Sequence, residues 1–176
     1  QDDSAPASAP RSKSGAGRTF DGSLVAQSAL RERALQILTD GAVSNEALVR
    51  ANSIEGLQAA PSRAESAARA ALSDDNAGVR FVGAMTIGML RLEKSAPFIE
   101  PLVDDRDPRV RCAAMYALAR LGKTVDLSPL ALLLEDPDPR FRSEAARVLG
   151  ELGNPSAIPM LRAAAAQSTR STASTG

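Results

Sequence analysis

The stretch DPRVRCAAMYALARLG, residues 107–122, returns as DPRFRSEAARVLGELG, residues 138–153, after an interval of 31 residues. A catalytic constellation is needed once in a chain. A unit that packs on copies of itself is needed repeatedly. The pairs Val79-Arg80, Val110-Arg111 and Phe141-Arg142 anchor three copies at that interval. From each anchor the pattern runs apolar-Arg-x-x-small-small-x-x-Leu/Ile-small-x-Leu. It reads Gly83, Ala84, Ile87, Gly88, Leu90 in the first of these. In the next two it reads Ala114, Met115, Leu118, Ala119, Leu121 and Ala145, Ala146, Leu149, Gly150, Leu152. An earlier, weaker copy starts at Val49-Arg50 and continues through Ser53, Ile54 and Leu57.

Apolar spacings of three and four within each copy predict a helix. Each helix ends at a Gly, Pro or polar cluster: PSRAE, EKSAP, GKTVD, GNPSA. A second apolar helix is then predicted at 64–72, 96–103, 127–134 and 157–166. Pro97 and Pro159 fall early in these, where a missing N–H costs nothing. The Asp-rich turns SDDNAG, DDRDPR and EDPDPR lead back into the repeat, with an acidic cap and a proline in the first turn. A further helix over roughly 23–39 precedes the first copy. A helix pair of this kind cannot bury its apolar surface alone, so neighbours must stack. The expected architecture is all-α: a right-handed α-solenoid of about four helix pairs plus an N-terminal helix, over residues 20–166. Residues 1–19 read as a flexible linker and 167–176 as a flexible tail, because Ser, Pro, Gly, Ala and Thr dominate both.

The segment DPDPRFRSEAARVLGELGNPSAIPML resembles the HEAT-repeat family, in particular the short bacterial HEAT-like repeats of the phycobilin-lyase type. The resemblance covers about residues 40–166 and is clearest in the last two copies. It implies the solenoid fold and binding to other macromolecules, but names no partner, because a fold hosts many functions. The enzymes that share the fold have requirements this chain does not meet. Iron hydroxylases of the fold need His–Glu pairs, and DNA glycosylases use aromatic and acidic residues in a basic groove. Phycobilin lyases are nearer in repeat length, yet no pigment-binding constellation can be named.

Composition narrows the chemistry. There is no His, which removes the commonest general base and metal ligand. Cys112 is the one Cys, so no intramolecular disulfide and no Cys-based zinc site can form. Formal net charge is zero, which gives nonspecific nucleic-acid binding no electrostatic support. The Asp-Pro turns lack the Gly and distal Glu spacing of a calcium loop. No apolar run reaches the ~20 residues of a membrane span. The opening QDDSAPASAP fits a mature end left by signal cleavage, so export is expected, with a trimmed cytoplasmic chain as the alternative.

Three residue sets remain as candidates. Arg80, Arg111 and Arg142, with Asp105, Asp107, Asp136 and Asp138, are expected to form a structural ladder between neighbouring turns. The positions two, six and ten residues after each anchor point away from the inward face. They hold Phe81, Met85 and Met89 in one copy, then Cys112 and Tyr116 in the next, so an exposed apolar outer stripe for a partner is expected. The alternative is a seam between repeats, or cover by the N-terminal arm with Phe20. Phe98, Leu132 and Met160 on the second helices form a second candidate, on what is expected to be the concave side. The functional expectation is a noncatalytic protein-binding scaffold or adaptor, with no cofactor, metal, nucleic-acid or small-molecule substrate. The alternative is an obligate accessory subunit of a larger envelope, extracellular or membrane-associated assembly.

Overall fold

The computed structural model describes residues 22–153 and 155–173. The linker expected at 1–19 and the last three residues of the expected tail lie outside the described residues. The helices follow in order: α1 (Gly22–Gly41), α2 (Ala47–Leu57), α3 (Pro61–Ala71), α4 (Ala77–Met89), α5 (Ala96–Ile99), α6 (Pro108–Arg120), α7 (Ser128–Leu133), α8 (Pro139–Leu152) and α9 (Ile158–Ala173). The chain is an all-α solenoid, and no strand occurs among the described residues. The tail expected from residue 167 is helical as far as Ala173.

The turns set where the long helices begin. Asn76, Asp107 and Asp138 each accept a hydrogen bond from the backbone N–H two residues on, at 2.8 Å. Pro108 and Pro139 follow two of these caps, with φ already helical and no N–H to leave unpaired. The short helices are less regular. The expected helix 96–103 keeps only four α-helical residues and continues as a 3₁₀ turn, Glu100–Asp104. Pro101 explains this, because it has no N–H to donate to the carbonyl of Pro97.

Pairing is shifted by one helix from the sequence expectation. α3 packs more extensively on α4 than on α2, and the Glu100–Asp104 turn packs on α6. Each unit is therefore an odd-numbered helix followed by an even-numbered one: α1 pairs with α2 as the first unit, and from α3 onward the leading helix of each unit is the shorter. The long helices α2, α4, α6 and α8 lie side by side in a row. The inward positions of the repeat form the core: Val79, Ile87, Val110, Ala114, Leu118, Ala145 and Leu149 are all buried. Each fully buried Val, Ile or Leu contributes roughly 1.5–3 kcal/mol. At the ends of the row the anchors lose cover, so Phe141 is half-buried and Val49 is exposed.

Small residues let the row close up. A Cβ on Gly83 would meet the Ala68 carbonyl and the Ala71 Cβ at 2.8 Å. A Cβ on Gly88 would meet the Ala117 Cα and the Tyr116 ring at the same distance. The long helices α4 and α6 each leave their last turn through a residue with positive φ. It is Gly122 after α6, and Arg91 with φ 51° after α4. Gly153 fills this place after α8. Only Arg91 carries a side chain there, and it is exposed, so it bears strain that glycine would not.

Two outcomes follow for urea denaturation. Arg91→Gly should raise stability by about 0.5–1 kcal/mol, since relief of strain exceeds the entropy cost of glycine. Gly88→Ala should lower it by about 1–3 kcal/mol, because α4 and α6 must separate to admit the methyl group. No loss in the second variant would show that the two helices are not in close contact.

Candidate protein-binding groove

The direction of curvature comes from two side chains on non-adjacent helices. The guanidinium of Arg147, on α8, sits 5.9 Å from the ring centroid of Phe81, on α4, although α6 lies between these helices in the row. The row therefore curls toward the side of the long helices, and α4 meets α8 over α6. A groove of about 420 Å³ lies on this concave face. Its lining comes from Glu55 and Gln58 of α2, Phe81, Met85 and Met89 of α4, and Glu144 and Arg147 of α8, with Val82 beside them.

This curvature overturns the continuous outer stripe. Met85, Cys112 and Tyr116 are buried, the tyrosine being 2% exposed. Phe81 is half-buried, and Met89 is 44% exposed. Helical geometry gives the reason. Positions two, six and ten after the anchor lie at about 200°, 240° and 280° around the helix. They drift toward the preceding long helix, so Tyr116 meets Gly88 of α4. Met89, the last residue of α4, stays open to solvent.

Burial governs the chemistry of the two titratable members of the set. The Cys112 thiol is pushed up to about 12 by burial, then by the charge of Glu144. It is not a reactive thiolate at neutral pH. Tyr116 is also pushed up to about 12, by burial and then by a hydrogen bond to Glu151. Neither is part of the groove surface: Tyr116 is buried against α4, and Cys112 borders the small space between α6 and α7.

The rim is polar and cross-braced. Arg147 pairs with Glu144, and with Glu151 at 2.7 Å. Gln58 Nε2 donates to Thr86 Oγ1 at 3.0 Å, which fixes the end of α2 against α4. Glu55, Gln58 and Glu144 were not singled out from the sequence. The signal was present, because Glu55, Met85, Tyr116 and Arg147 occupy one register position in successive copies. Two of the four are charged, and those two came to lie at the ends of the groove.

The second candidate set lies on the opposite side. Phe98 lines a crevice between α3 and α5, where the guanidinium of Arg69 stacks 3.9 Å from its ring centroid. Leu132 and Met160 line a crevice between α7 and α9. Because the row curls toward the long helices, this face is the convex one, not concave as expected. Leu132 is 73% exposed and Met160 half-buried.

The arginines join successive turns. Arg50 donates Nε and Nη2 to the Asp74 carboxylate at 2.7 and 2.8 Å. Arg80 grips Asp105 in the same way at 2.8 and 2.9 Å. Each also donates Nη1 to two carbonyls of its own turn. Among the described residues Arg111 and Arg142 make the carbonyl bonds alone, without the expected carboxylate rung. Asp107 and Asp138 pair instead with the nearby Arg109 and Arg140. Asp136 accepts the Asp138 N–H at 2.8 Å. The guanidinium partners hold the Asp74, Asp105 and Asp107 carboxyls below the usual carboxylate range, and Asp138 at about 2.

With this geometry in place, the comparison with protein families decides the assignment. The family model for HEAT repeats matches residues 32–119, 65–133 and 101–174. The chain belongs to the HEAT-repeat family. Repeats of this family commonly act as protein-interaction scaffolds, and their fold is generally noncatalytic. A comparison with curated proteins returns no match. Among the described residues no helix is long and apolar enough to cross a membrane.

The ladder has a measurable pH signature. Arg80 and Asp105 are nearly buried, so Asp105→Asn should cost roughly 2–3 kcal/mol at pH 7 by urea denaturation. The folded carboxyl titrates below its unfolded value, so its contribution is complete above about pH 4 and is lost as pH falls through the folded value. The gap between wild type and variant should therefore narrow in acid. A gap independent of pH would show that the charge of Asp105 is not what the variant removes.

Proposed function

We propose that this HEAT-repeat protein is a noncatalytic scaffold that holds a segment of a protein partner in its concave groove. The observation that carries the reading is the groove itself: exposed Met89 and half-buried Phe81 between charged walls from α2 and α8. Met adapts its shape to varied partners, and an aromatic ring supplies large contact area. Met85 lines the floor of the groove, and the buried Tyr116 supports it from beneath. The rigid row of long helices keeps the groove open before binding, so little ordering cost is added on association.

A second reading, an accessory subunit of a larger assembly, is favoured by the N-terminal end of the row. α1 exposes Leu24, Val25, Leu30 and Ile37, with Leu30 at 70%, and Val43 and Leu48 are exposed beside it. An apolar end of this kind is where a large, lasting interface would form. The Ala-rich α9, by comparison, exposes mainly methyl groups, with Ile158 as its one exposed large apolar side chain among the described residues.

A photo-crosslinking residue placed at Met89 tests the groove, with one at Phe98 on the convex face as reference. The expected result is a discrete adduct from position 89 in the native source and none of the same mass from position 98. Met89→Glu should then weaken that complex by at least about tenfold, or 1.4 kcal/mol. Equal adducts from both faces, or an affinity unchanged by Met89→Glu, would overturn the groove as the binding surface.

A further inference from the structure

The arginine ladder has one open rung, and a crevice lies beside it. Arg111 keeps the half of the pattern that orients its guanidinium: Nη1 donates to the Asp105 carbonyl at 2.9 Å and the Arg106 carbonyl at 3.5 Å. Its Nε–Nη2 edge, the edge that grips a carboxylate in Arg50 and Arg80, has no carboxylate among the described residues. Arg142 shares this state because it stands at the last turn of the stack, with no later Asp turn to meet. Arg111 does have a later turn. Asp136 follows it by 25 residues, the same separation as Arg80 and Asp105, yet lies beyond ion-pair distance.

The local sequence explains the gap. After α6 the chain runs without regular structure from Lys123 to Leu127, and α7 is only six residues long. The seam between α6 and α7 is consequently loose. A crevice of about 530 Å³ opens there, with Val103, Met115, Leu118 and Val125 as its apolar wall and Arg111 at its edge. A smaller space of about 160 Å³ reaches Arg111 between α6 and α7, past Pro129. Both lie on the side of α6 that faces the short helices, away from the concave groove.

We propose that this crevice binds an aspartate side chain of a protein partner, the Nε–Nη2 edge of Arg111 taking the carboxylate and the apolar wall taking a neighbouring side chain. The chain itself shows what this edge accepts. In both closed rungs the same two donors hold an Asp carboxylate in a two-point grip, with the guanidinium pre-aligned by the same carbonyl bonds. In the first of them Leu72 is buried two residues before the gripped Asp74. The second closed rung has Val103 at the same place, two residues before Asp105. Glu100, Asp104 and Asp126 also border the crevice. The closed rungs hold their carboxylates with further acidic groups close by, one beside Arg50 (Asp75) and two beside Arg80 (Asp74 and Asp107), and the crevice has one more than Arg80 does. Asp126 is further occupied by the Ser128 N–H at 2.9 Å. The site is independent of the concave groove, so either can fail without the other.

The test uses the ¹⁵N-labelled full chain and the arginine Nε–H resonances, with Arg111 assigned by its loss in Arg111→Lys. The probe is the N-acetylated, C-amidated tripeptide Leu-Ser-Asp, which copies residues 72–74 and carries a single carboxylate. Its Asp74→Asn counterpart is the control. The expected result is a saturable shift of the Arg111 signal at millimolar peptide, with Arg50 and Arg80 unmoved. The control should bind at least about tenfold more weakly, and Arg111→Lys should lose the response measured on nearby backbone amides, because an ammonium has no two-point fork. The proposal is overturned by the absence of a saturable shift or by equal binding of the control. It is also overturned if the free protein's Arg111 signal already coincides with those of Arg50 and Arg80 and leaves them in Asp136→Asn, since the chain would then close its own rung.

Discussion

The structure depends on how closely its long helices approach one another. Where α4 meets α6, Gly88 lies against Ala117 and the Tyr116 ring with no room for one additional carbon. Where α3 meets α4, Gly83 does the same against Ala68 and Ala71. Gly83 and Gly88 thus let α4 lie close to α3 on one side and to α6 on the other, and the offsets between these closely packed helices set the bend of the stack. Interiors packed to crystal-like density transmit such a local constraint over several helices. The bend brings Arg147 over Phe81, buries Tyr116 beneath them, and leaves Met89 open at the edge.

The Asp turns and arginines act at a different level. Hydrophobic contact sets the distance between neighbouring units but is non-directional, so it does not fix their register along the helix axis. A guanidinium that bonds two carbonyls of its own turn and a carboxylate of the next one does fix it. The first three turns are joined in this way, and the joint between the third and fourth is not. That difference coincides with the loosest seam, where the chain between α6 and α7 has no regular structure. The stacked helices from α2 to α8 thus form a concave groove, and one irregular repeat produces a crevice on the other face.

Much of this was legible in the repeat. The anchors, the inward small residues, the Asp caps and the helix boundaries all follow from local chemistry that needs no knowledge of distant residues. The repeat does not tell which neighbour each long helix pairs with, because an unbroken alternation of helices looks the same from either starting point. The stripe of Phe81, Met85, Met89, Cys112 and Tyr116 was read as exposed because a single helix viewed alone has an inside and an outside. In a row it has two flanks as well, and Tyr116 lies on one of them.

The sequence by itself determined that the chain is a stack of helix pairs, with caps, turns and a core dictated by a 31-residue repeat. These are short-range consequences of helical periodicity and turn chemistry. Tertiary structure alone decided which face is concave, that Phe98, Leu132 and Met160 lie on the other face, and that Arg111 lacks the partner its relatives have. Each of these depends on small offsets between neighbouring units that add up over several helices. No single copy of the repeat contains that sum.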